Sequence, residues 1–212
     1  MEREPTAFVV DDDACVREGL SILLHSSGHH VETYPSSEAF LASYDPSWPG
    51  CLLADIRMPG LSGLELQAEL RARNILLPVI IITGHVDVPM AVRAMKAGAL
   101  DVIEKPFCSE RVLGRVTQAI QMDAQIRRTQ AILSEHDSRL SCLTPREQQI
   151  LDCLAKGASS KRIAVQLDIS VQAVATHRSK IIEKMETDNV VTLIRKLVTM
   201  QTLREQIDVE VE

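Results

Sequence analysis

The segment 51–63, CLLADIRMPGLSG, decides the fold of the first half of the chain. Four uncharged residues, Cys51 to Ala54, run directly into a single carboxylate, Asp55, and glycines follow close behind at Gly60 and Gly63. A short uncharged run bounded by proline and glycine is typical of a strand buried within a sheet. The segment therefore predicts a buried strand that ends on an acidic side chain. The function of that side chain depends on what the neighbouring strands carry.

Four further apolar runs of similar length occur in the first half of the chain. They are Phe8-Val9-Val10, Val31 to Tyr34, Val79 to Ile82 and Val102-Ile103. Segments with helical spacing separate them, and Asp87-Val88-Pro89 marks the expected start of one such helix. Strands of a parallel sheet are apolar throughout when helices cover both faces. The alternation predicts an α/β fold with a doubly wound, five-stranded parallel sheet.

The second half of the chain is helical and starts with a long helix of weak coiled-coil character. Apolar residues recur every seven positions from Val112 to Leu140, but Asp123, Gln130 and Asp137 interrupt the second row. A stable coiled coil needs both rows. We therefore expect a long connecting helix with at most a weak dimer seam.

A new helical domain begins at Thr144-Pro145-Arg146-Glu147. Threonine can cap the helix, proline suits the first helical position, and Glu147 can complete a capping box. A small all-α unit follows, with breaks near Gly157, 168–170 and 187–188. The pattern predicts three parts. They are a domain at 1–125, a helical linker at 126–141 and a second domain at 142–212.

The two halves differ in charge, which suggests two different partners. Residues 1–125 contain 17 acidic and 10 basic residues, whereas residues 142–204 contain 6 acidic and 10 basic residues. A basic helical domain favours nucleic acid as its partner. The five cysteines form no C-x-x-C pair, and no run approaches the roughly 18 apolar residues of a membrane span. We expect reduced thiols, no membrane partner and a cytoplasmic location.

Four strand ends supply complementary polar groups to one edge of the predicted sheet, where the carboxyl ends of parallel strands meet. The first strand ends at Asp11 and Asp12, the third at Asp55, the fourth at Thr83 and the fifth at Lys105. Clustered carboxylates repel one another, and a hard divalent cation such as Mg²⁺ relieves that repulsion. Carboxylates, a hydroxyl and a lysine together predict a pocket for a phosphoryl group, with Asp55 as the nucleophile. A single strand-end aspartate without these partners would more simply be a turn residue.

Four motifs connect this pattern to a known family. FVVDDD, LLADIRMPGLSG, VIIITGHVDVPMAVRAMKAGALDVIEKPF and LTPREQQIL resemble, in order and spacing, those of bacterial two-component response regulators of the FixJ-like subgroup. The resemblance implies that residues 1–125 form a flavodoxin-like receiver domain, which accepts a phosphoryl group. It also implies that residues 142–212 form a LuxR-type helix-turn-helix domain, which binds DNA.

The resemblance assigns roles to the strand-end residues. It implies that Asp55 is the phosphorylated residue, Thr83 the switch hydroxyl and Lys105 the lysine that contacts phosphate. The implied ligands of Mg²⁺ are Asp11, Asp12, Asp55 and the backbone carbonyl of Arg57. Family members usually carry an aromatic residue where Val102 stands, so an aromatic version of the switch is not expected in this chain.

In a helix-turn-helix, the second of the paired helices enters the major groove. The segment 171–185 takes that place here, and Ser170 is suited to cap it. The residues expected to read base edges are Gln172, Thr176, Ser179 and Lys180. The residues expected to contact phosphates are Lys161, Arg162, His177, Arg178 and Lys184. For any one of these charges, a solvated helical face without DNA is the alternative interpretation.

The resemblance implies a regulated transcription factor. A sensor histidine kinase would phosphorylate Asp55, and the homodimer formed on phosphorylation would bind promoter DNA and activate transcription, with RNA polymerase as a further partner. The chain would catalyse only its own phosphoryl transfer and slow dephosphorylation. Two alternatives remain open from the residues alone. One is a free-standing phosphatase, although Arg57 stands where a dehalogenase-type phosphatase has its second aspartate; the other is a constitutive DNA-binding protein whose receiver only dimerises.

Overall fold

A computed structural model describes residues 3–85 and 88–211, with side chains described as far as Glu205. The chain divides into two compact units, one reaching Arg127 and the other formed by Arg128–Val209. Asp87, expected at a helix start, and residues 1, 2 and 212 of the predicted domains lie outside the described residues. Within the described ranges, no helix combines the length and apolar character needed to span a membrane.

Alternating strands and helices form the first unit. The elements are β1 (Thr6–Val10), α1 (Ala14–Ser26), β2 (His30–Tyr34), α2 (Ser37–Ser43), β3 (Gly50–Asp55), α3 (Gly63–Ala72), β4 (Val79–Thr83), α4 (Val88–Lys96), β5 (Asp101–Glu104) and α5 (Ser109–Ser141). The strands form one sheet in the order β2-β1-β3-β4-β5, and every neighbouring pair is parallel. The prediction of a doubly wound, five-stranded parallel sheet is confirmed.

Each face of the sheet carries its own apolar core, because successive side chains of a strand point to opposite faces. Phe8, Leu52 and Ile81 lie in the core that α2, α3 and α4 cover. Val9 and Leu53, one position along their strands, lie in the core that α1 and α5 cover. The inner strands β1, β3 and β4 are buried along their whole length, whereas the edge strands β2 and β5 carry polar, partly exposed residues.

Helix α5 is fastened to the sheet by a buried ion pair near the end of the first unit. Asp123 accepts hydrogen bonds from Gly50 N and from Arg127 Nε, each at 2.8 Å. The Arg127 guanidinium also donates to the carbonyl oxygens of Pro46, Ser47 and Trp48. Burial raises the pKa of Asp123, and Arg127 opposes that rise. Asp123 interrupts the predicted coiled-coil row because its carboxylate has partners inside the first unit.

The second unit is all helical, as predicted. It contains α6 (Pro145–Ala155), α7 (Ser160–Leu167), α8 (Val171–Lys184) and α9 (Val190–Val211), together with the end of α5. Its core includes Ile150, Ile163, Val174, Ile181 and Leu193, and Leu140 of α5 packs against this core. Helix α5 covers the predicted linker 126–141, while the domain boundaries themselves remain predictions.

The start of α6 carries the predicted capping box. Thr144 Oγ1 accepts from Glu147 N, and Glu147 Oε2 accepts from Thr144 N at 2.9 Å. The buried Glu147 carboxylate also pairs with Lys184 Nζ at 2.7 Å. Lys184 and the Thr144 amide hold the pKa of Glu147 below its ordinary value. One carboxylate thus joins the start of α6 to the end of α8.

Glu147→Gln is expected to destabilise the second unit by about 1 kcal/mol at neutral pH, because the amide loses the charge that faces Lys184. A lowered folded-state pKa contributes stability above the unfolded pKa, and this is lost as pH falls through the folded value. The deficit should therefore shrink below about pH 4. Calorimetry of the full chain measures it, with the exposed Glu183→Gln as control. A deficit independent of pH would contradict this account.

Candidate functional site

Asp11 and Asp55 lie side by side at the carboxyl ends of β1 and β3. The two strands are parallel neighbours with Val10 opposite Ala54, so the following residue of each falls at the same edge. Both side chains are buried, with Asp11 2% and Asp55 5% exposed. The structure therefore places two buried carboxylates together in the region that the sequence singled out.

Lys105 lies between these two carboxylates. Its Nζ donates to Asp11 Oδ2 at 2.6 Å and to Asp55 Oδ1 at 2.9 Å. Although burial works against its charge, the two carboxylates hold the pKa of Lys105 above its ordinary value. Lys105 follows β5 and precedes a cis peptide bond to Pro106. One cation thus neutralises part of the charge of two acids.

Asp55 remains destabilised as an anion despite this partner. Burial raises the pKa of Asp55, and the charge of Asp11 adds to the rise, whereas Lys105 and the Arg57 amide lower it. Arg57 N donates to Asp55 Oδ2 at 2.8 Å, so both carboxylate oxygens have a donor. An ionised, partly desolvated carboxylate with a lysine beside it is suited to nucleophilic attack on phosphorus.

The glycines behind Asp55 have steric reasons. A Cβ on Gly63 would lie 2.3 Å from the carbonyl oxygen of Asp55, so α3 can begin this close to β3 only without a side chain. Gly60 has a φ of 79°, which L side chains rarely adopt. Ser62 caps α3 immediately afterwards, with Glu65 completing a capping box. The segment between Asp55 and Gly63 is therefore a compact turn packed against the end of β3.

Thr83 is buried at the end of β4, and its hydroxyl is directed to the backbone of His85. Thr83 Oγ1 donates to His85 O at 3.2 Å and accepts from His85 N at 3.4 Å. These bonds are local to the loop after β4. Thr83 therefore lies at the same edge of the sheet as Asp55, and its hydroxyl is bonded to the backbone of its own loop; its role as a switch stays a prediction.

The three consecutive aspartates after β1 differ in their roles. Asp13 caps α1 by accepting from Cys15 N at 2.8 Å, whereas Asp12 is exposed. Asp11 Oδ1 accepts from Asp13 N at 2.9 Å, and Arg17 donates to the carbonyl oxygen of Asp11 at 2.7 Å. The sequence did not single out Arg17, and an arginine one turn into a helix gives no signal of its own. These bonds fix the backbone that carries the acidic pair.

The donor set suits a hard divalent cation. Asp11, Asp12 and Asp55 are carboxylates at two adjoining strand ends, and within residues 3–85 and 88–211 Lys105 is the cation paired with the two buried ones. Oxygen ligands with unbalanced negative charge are what Mg²⁺ prefers. Among the described residues, no three His, Cys, Asp or Glu side chains are already arranged around a common metal position. The residues therefore fit Mg²⁺ by their chemistry, without a preassembled cluster.

Val102 lies on β5 opposite Ile81 of β4 and packs against the core beneath α4. It is partly buried, as an aliphatic residue at a sheet edge can be without a polar partner. The site where relatives were expected to carry an aromatic ring is thus filled by a branched aliphatic side chain.

The polar face of α8 is exposed. Its exposed residues include Gln172, Thr176, Ser179 and Lys180, and Lys161 and Arg162 are exposed at the start of α7. Val174, Ile181 and Met185 are fully buried on the opposite face. Ser170 caps α8 by accepting from Ala173 N at 3.1 Å. The second unit therefore presents a polar helical face supported by an apolar one.

Three of the residues expected to contact phosphates have partners or burial inside the second unit. Lys184 bonds to Glu147 and to the Cys142 carbonyl. Arg178 donates to Ser160 Oγ at 2.7 Å, which joins α8 to the start of α7. His177 is partly buried, and its Nδ1 atom is enclosed. Their DNA contacts remain predictions, and each side chain also serves the fold of the unit.

Comparison with known proteins identifies both units. The receiver-domain model of response regulators matches residues 7–117, and the model for bacterial regulatory proteins of the luxR family matches residues 141–197. The transcriptional regulatory protein FixJ of Azorhizobium caulinodans is 43% identical over 187 residues, covering 88% of this chain and 89% of that protein. The response regulator TodT of Pseudomonas putida is 40% identical, covering 92% and 86%.

Solved structures give the same result. The response regulator StyR has a TM-score of 0.83 and 41% identity, with coverage of 92% of this chain and 99% of that one. Full-length FixJ from B. japonicum has a TM-score of 0.56 and 35% identity, with coverage of 94% and 98%. In both comparisons the similarity extends over nearly the full length of both proteins.

Asp55→Asn is expected to raise the stability of the first unit in magnesium-free buffer at neutral pH, by about 1 kcal/mol. A raised folded-state pKa means that stability present in acid is lost as pH rises through that value, and the amide avoids this loss. Thermal unfolding of the full chain measures the change. Asp13→Asn is the matched control, because that carboxylate is exposed and asparagine also caps helices. A lower unfolding temperature for Asp55→Asn would contradict the expected cost of the buried anion.

Proposed function

We propose, from the premise that this chain belongs to the bacterial response regulators that join a receiver domain to a LuxR-type DNA-binding domain, that Asp55 is its phosphoryl acceptor. The observation that carries the proposal is the buried arrangement of Asp55, Lys105 and Asp11. Phosphorylation of this carboxylate controls DNA binding by the LuxR-type unit. The phosphoryl donor is a sensor histidine kinase.

The chemistry follows from the geometry at Asp55. A carboxylate oxygen attacks the phosphorus of a phosphohistidine, the P–N bond breaks, and an acyl phosphate forms on Asp55. Lys105, which holds Asp55 Oδ1 at 2.9 Å, is placed to bind an oxygen of the transferred group. Mg²⁺, held by Asp11, Asp12, Asp55 and the Arg57 carbonyl, would neutralise charge on the phosphoryl oxygens.

Thr83 converts the modification into a change of conformation. In the described state its hydroxyl is bonded to the backbone of His85. An acyl phosphate offers strong acceptor oxygens at the edge where Thr83 lies. The hydroxyl then turns from His85 towards the phosphoryl group, and the loop that leads to α4 rearranges with it.

Helix α4 offers a surface for the homodimer. Val88, Val92 and Met95 are 77%, 45% and 50% exposed, and their spacing places them along one face of the helix. An exposed apolar row of this kind favours contact with another protein surface. A phosphorylation-dependent rearrangement before α4 would alter this row and so control dimerisation.

The LuxR-type unit binds promoter DNA through α8. Gln172, Thr176, Ser179 and Lys180 face the major groove, while Lys161 and Arg162 contact phosphates. Three further residues contact or are enclosed by the unit itself and approach phosphates at the edge of the interface: His177, Arg178 and Lys184. A dimer on two half-sites gains affinity through effective concentration, and RNA polymerase is the further partner in activation.

Incubation with acetyl phosphate and Mg²⁺ is expected to add one phosphoryl group at Asp55 and to tighten binding to promoter DNA. The increase follows from dimerisation on two half-sites and should be about 10-fold or more. Phosphate-affinity electrophoresis measures the phosphorylation, mass spectrometry locates it at Asp55, and gel shift measures the affinity for DNA. Asp55→Asn should stay folded, unmodified and unresponsive, whereas Asp13→Asn should respond as the wild type does. Equal DNA affinity with and without the donor would refute regulation by this carboxylate.

Lys161→Ala and Arg162→Ala are each expected to reduce the slope of log affinity against log salt concentration by about 1, because each removes one phosphate contact. Each variant should lose the same amount of binding free energy on a selected DNA site as on unrelated DNA. Gln172→Ala should instead lose about 1–3 kcal/mol on the selected site alone, since it reads a base edge. Fluorescence anisotropy across a salt series separates the two classes. An unchanged slope for both basic variants would place DNA on another surface.

A further inference from the structure

The connector between β3 and α3, residues 56–62, carries the Arg57 carbonyl that is proposed as a metal ligand. Its first residues are fixed by β3 and β4, since Ile56 N donates to Ile82 O and Arg57 N donates to Asp55 Oδ2. Its last residue, Ser62, is fixed by the capping box with Glu65. The conformation between these ends decides where the Arg57 carbonyl points.

A carboxylate from another helix binds the connector next to its last residue, at Gly60 and Leu61. Glu38 lies in the first turn of α2, and its Oε1 accepts a hydrogen bond from Leu61 N at 2.9 Å. The same oxygen lies against Gly60, where an added Cβ would be only 2.5 Å away. The absence of a side chain at Gly60 therefore allows the carboxylate to reach the backbone.

Helix α2, which carries Glu38, is anchored in the apolar core of the first unit. Phe40, two residues after Glu38, is fully buried in the same core that contains Ile56 and Met58 of the connector. The Leu61 amide holds the pKa of Glu38 below its ordinary value, so the side chain is an anion at neutral pH. An ionised acceptor forms a stronger hydrogen bond than a neutral one.

We propose that Glu38 is a positioning residue for phosphoryl transfer, which holds the connector so that the Arg57 carbonyl is presented to Mg²⁺ beside Asp55. Four positions separate Leu61 from Arg57, and Pro59 between them has a fixed φ. Pro59 thus limits how far a displacement at Leu61 can be absorbed before it reaches the Arg57 carbonyl. The proposal rests on the proposed function, because it assigns Glu38 to the same metal-assisted site.

A purely structural role for Glu38 makes a different prediction. An acidic residue in the first turn favours a helix through its position near the N-terminus. If that were its whole contribution, a shorter acid would serve equally well, and a change in Glu38 would affect unfolding without affecting Mg²⁺. The length of the side chain therefore separates the two roles.

Glu38→Asp in the full chain is the decisive variant, since it keeps the charge in the first turn but shortens the reach to Leu61. We expect it to weaken Mg²⁺ binding by about 10-fold, the lower end for residues that orient metal ligands. Isothermal titration with Mg²⁺ alone measures the affinity. Amide hydrogen exchange at Leu61 should become faster, and phosphorylation by acetyl phosphate should need correspondingly more Mg²⁺.

Three companion variants complete the experiment. Glu38→Gln keeps an acceptor oxygen at full length and should bind Mg²⁺ nearly as the wild type does. Glu69→Asp shortens an exposed carboxylate of α3 that pairs with Arg73, and it should leave Mg²⁺ binding unchanged. Gly60→Ala puts a methyl group 2.5 Å from Glu38 Oε1 and also strains the connector backbone, so it displaces the connector by a second route and should weaken Mg²⁺ binding even if Glu38→Asp does not fold.

The outcomes separate this inference from the proposed function. Wild-type affinity in both Glu38→Asp and Gly60→Ala, or an equal loss in Glu69→Asp, would overturn the positioning role. A lower unfolding temperature with unchanged Mg²⁺ affinity would overturn it as well. A wild-type chain that binds Mg²⁺ but takes no phosphoryl group at Asp55 would instead refute the proposed function.

Discussion

Two buried carboxylates and one lysine form the constraint on which the receiver unit depends. Asp11 and Asp55 are brought together by the parallel register of β1 and β3, and Lys105 of the loop after β5 bridges them. Burial raises the pKa of Asp55, and Lys105 opposes that rise, so the lysine makes the buried anion compatible with the folded chain. The residual negative charge suits this edge of the sheet to the divalent cation and the phosphoryl group of the proposed function.

The rest of the receiver unit supports this edge. Two apolar cores hold the strands in register from both faces, and Arg17 and Gly63 fix the backbones next to the two aspartates. At the opposite edge of the sheet, Asp123 and Arg127 fasten α5 to the loop that precedes β3. The unit thus combines a packed scaffold with a small polar centre in which one lysine balances only part of the charge of two carboxylates.

The LuxR-type unit uses carboxylates in a different way. Glu147 caps α6 and pairs with Lys184, so one acid serves a helix end and an ion pair at once. Arg178 bonds to Ser160 and joins the two helices of the helix-turn-helix. Several basic residues are therefore engaged in holding the unit together, while Lys161, Arg162 and Lys180 remain exposed towards solvent.

Sequence by itself determined the elements, the buried inner strands, the capping box at Thr144 and the strand ends that carry polar groups. These features are encoded locally, in hydrophobic period and in the chemistry of helix ends. Only the tertiary structure decided which partner each charge has on another element: Asp123 with the Gly50 amide, Lys184 with Glu147, and Glu38 with the Leu61 amide. These partners lie on other elements or on other turns, so their distances depend on packing that no local pattern records.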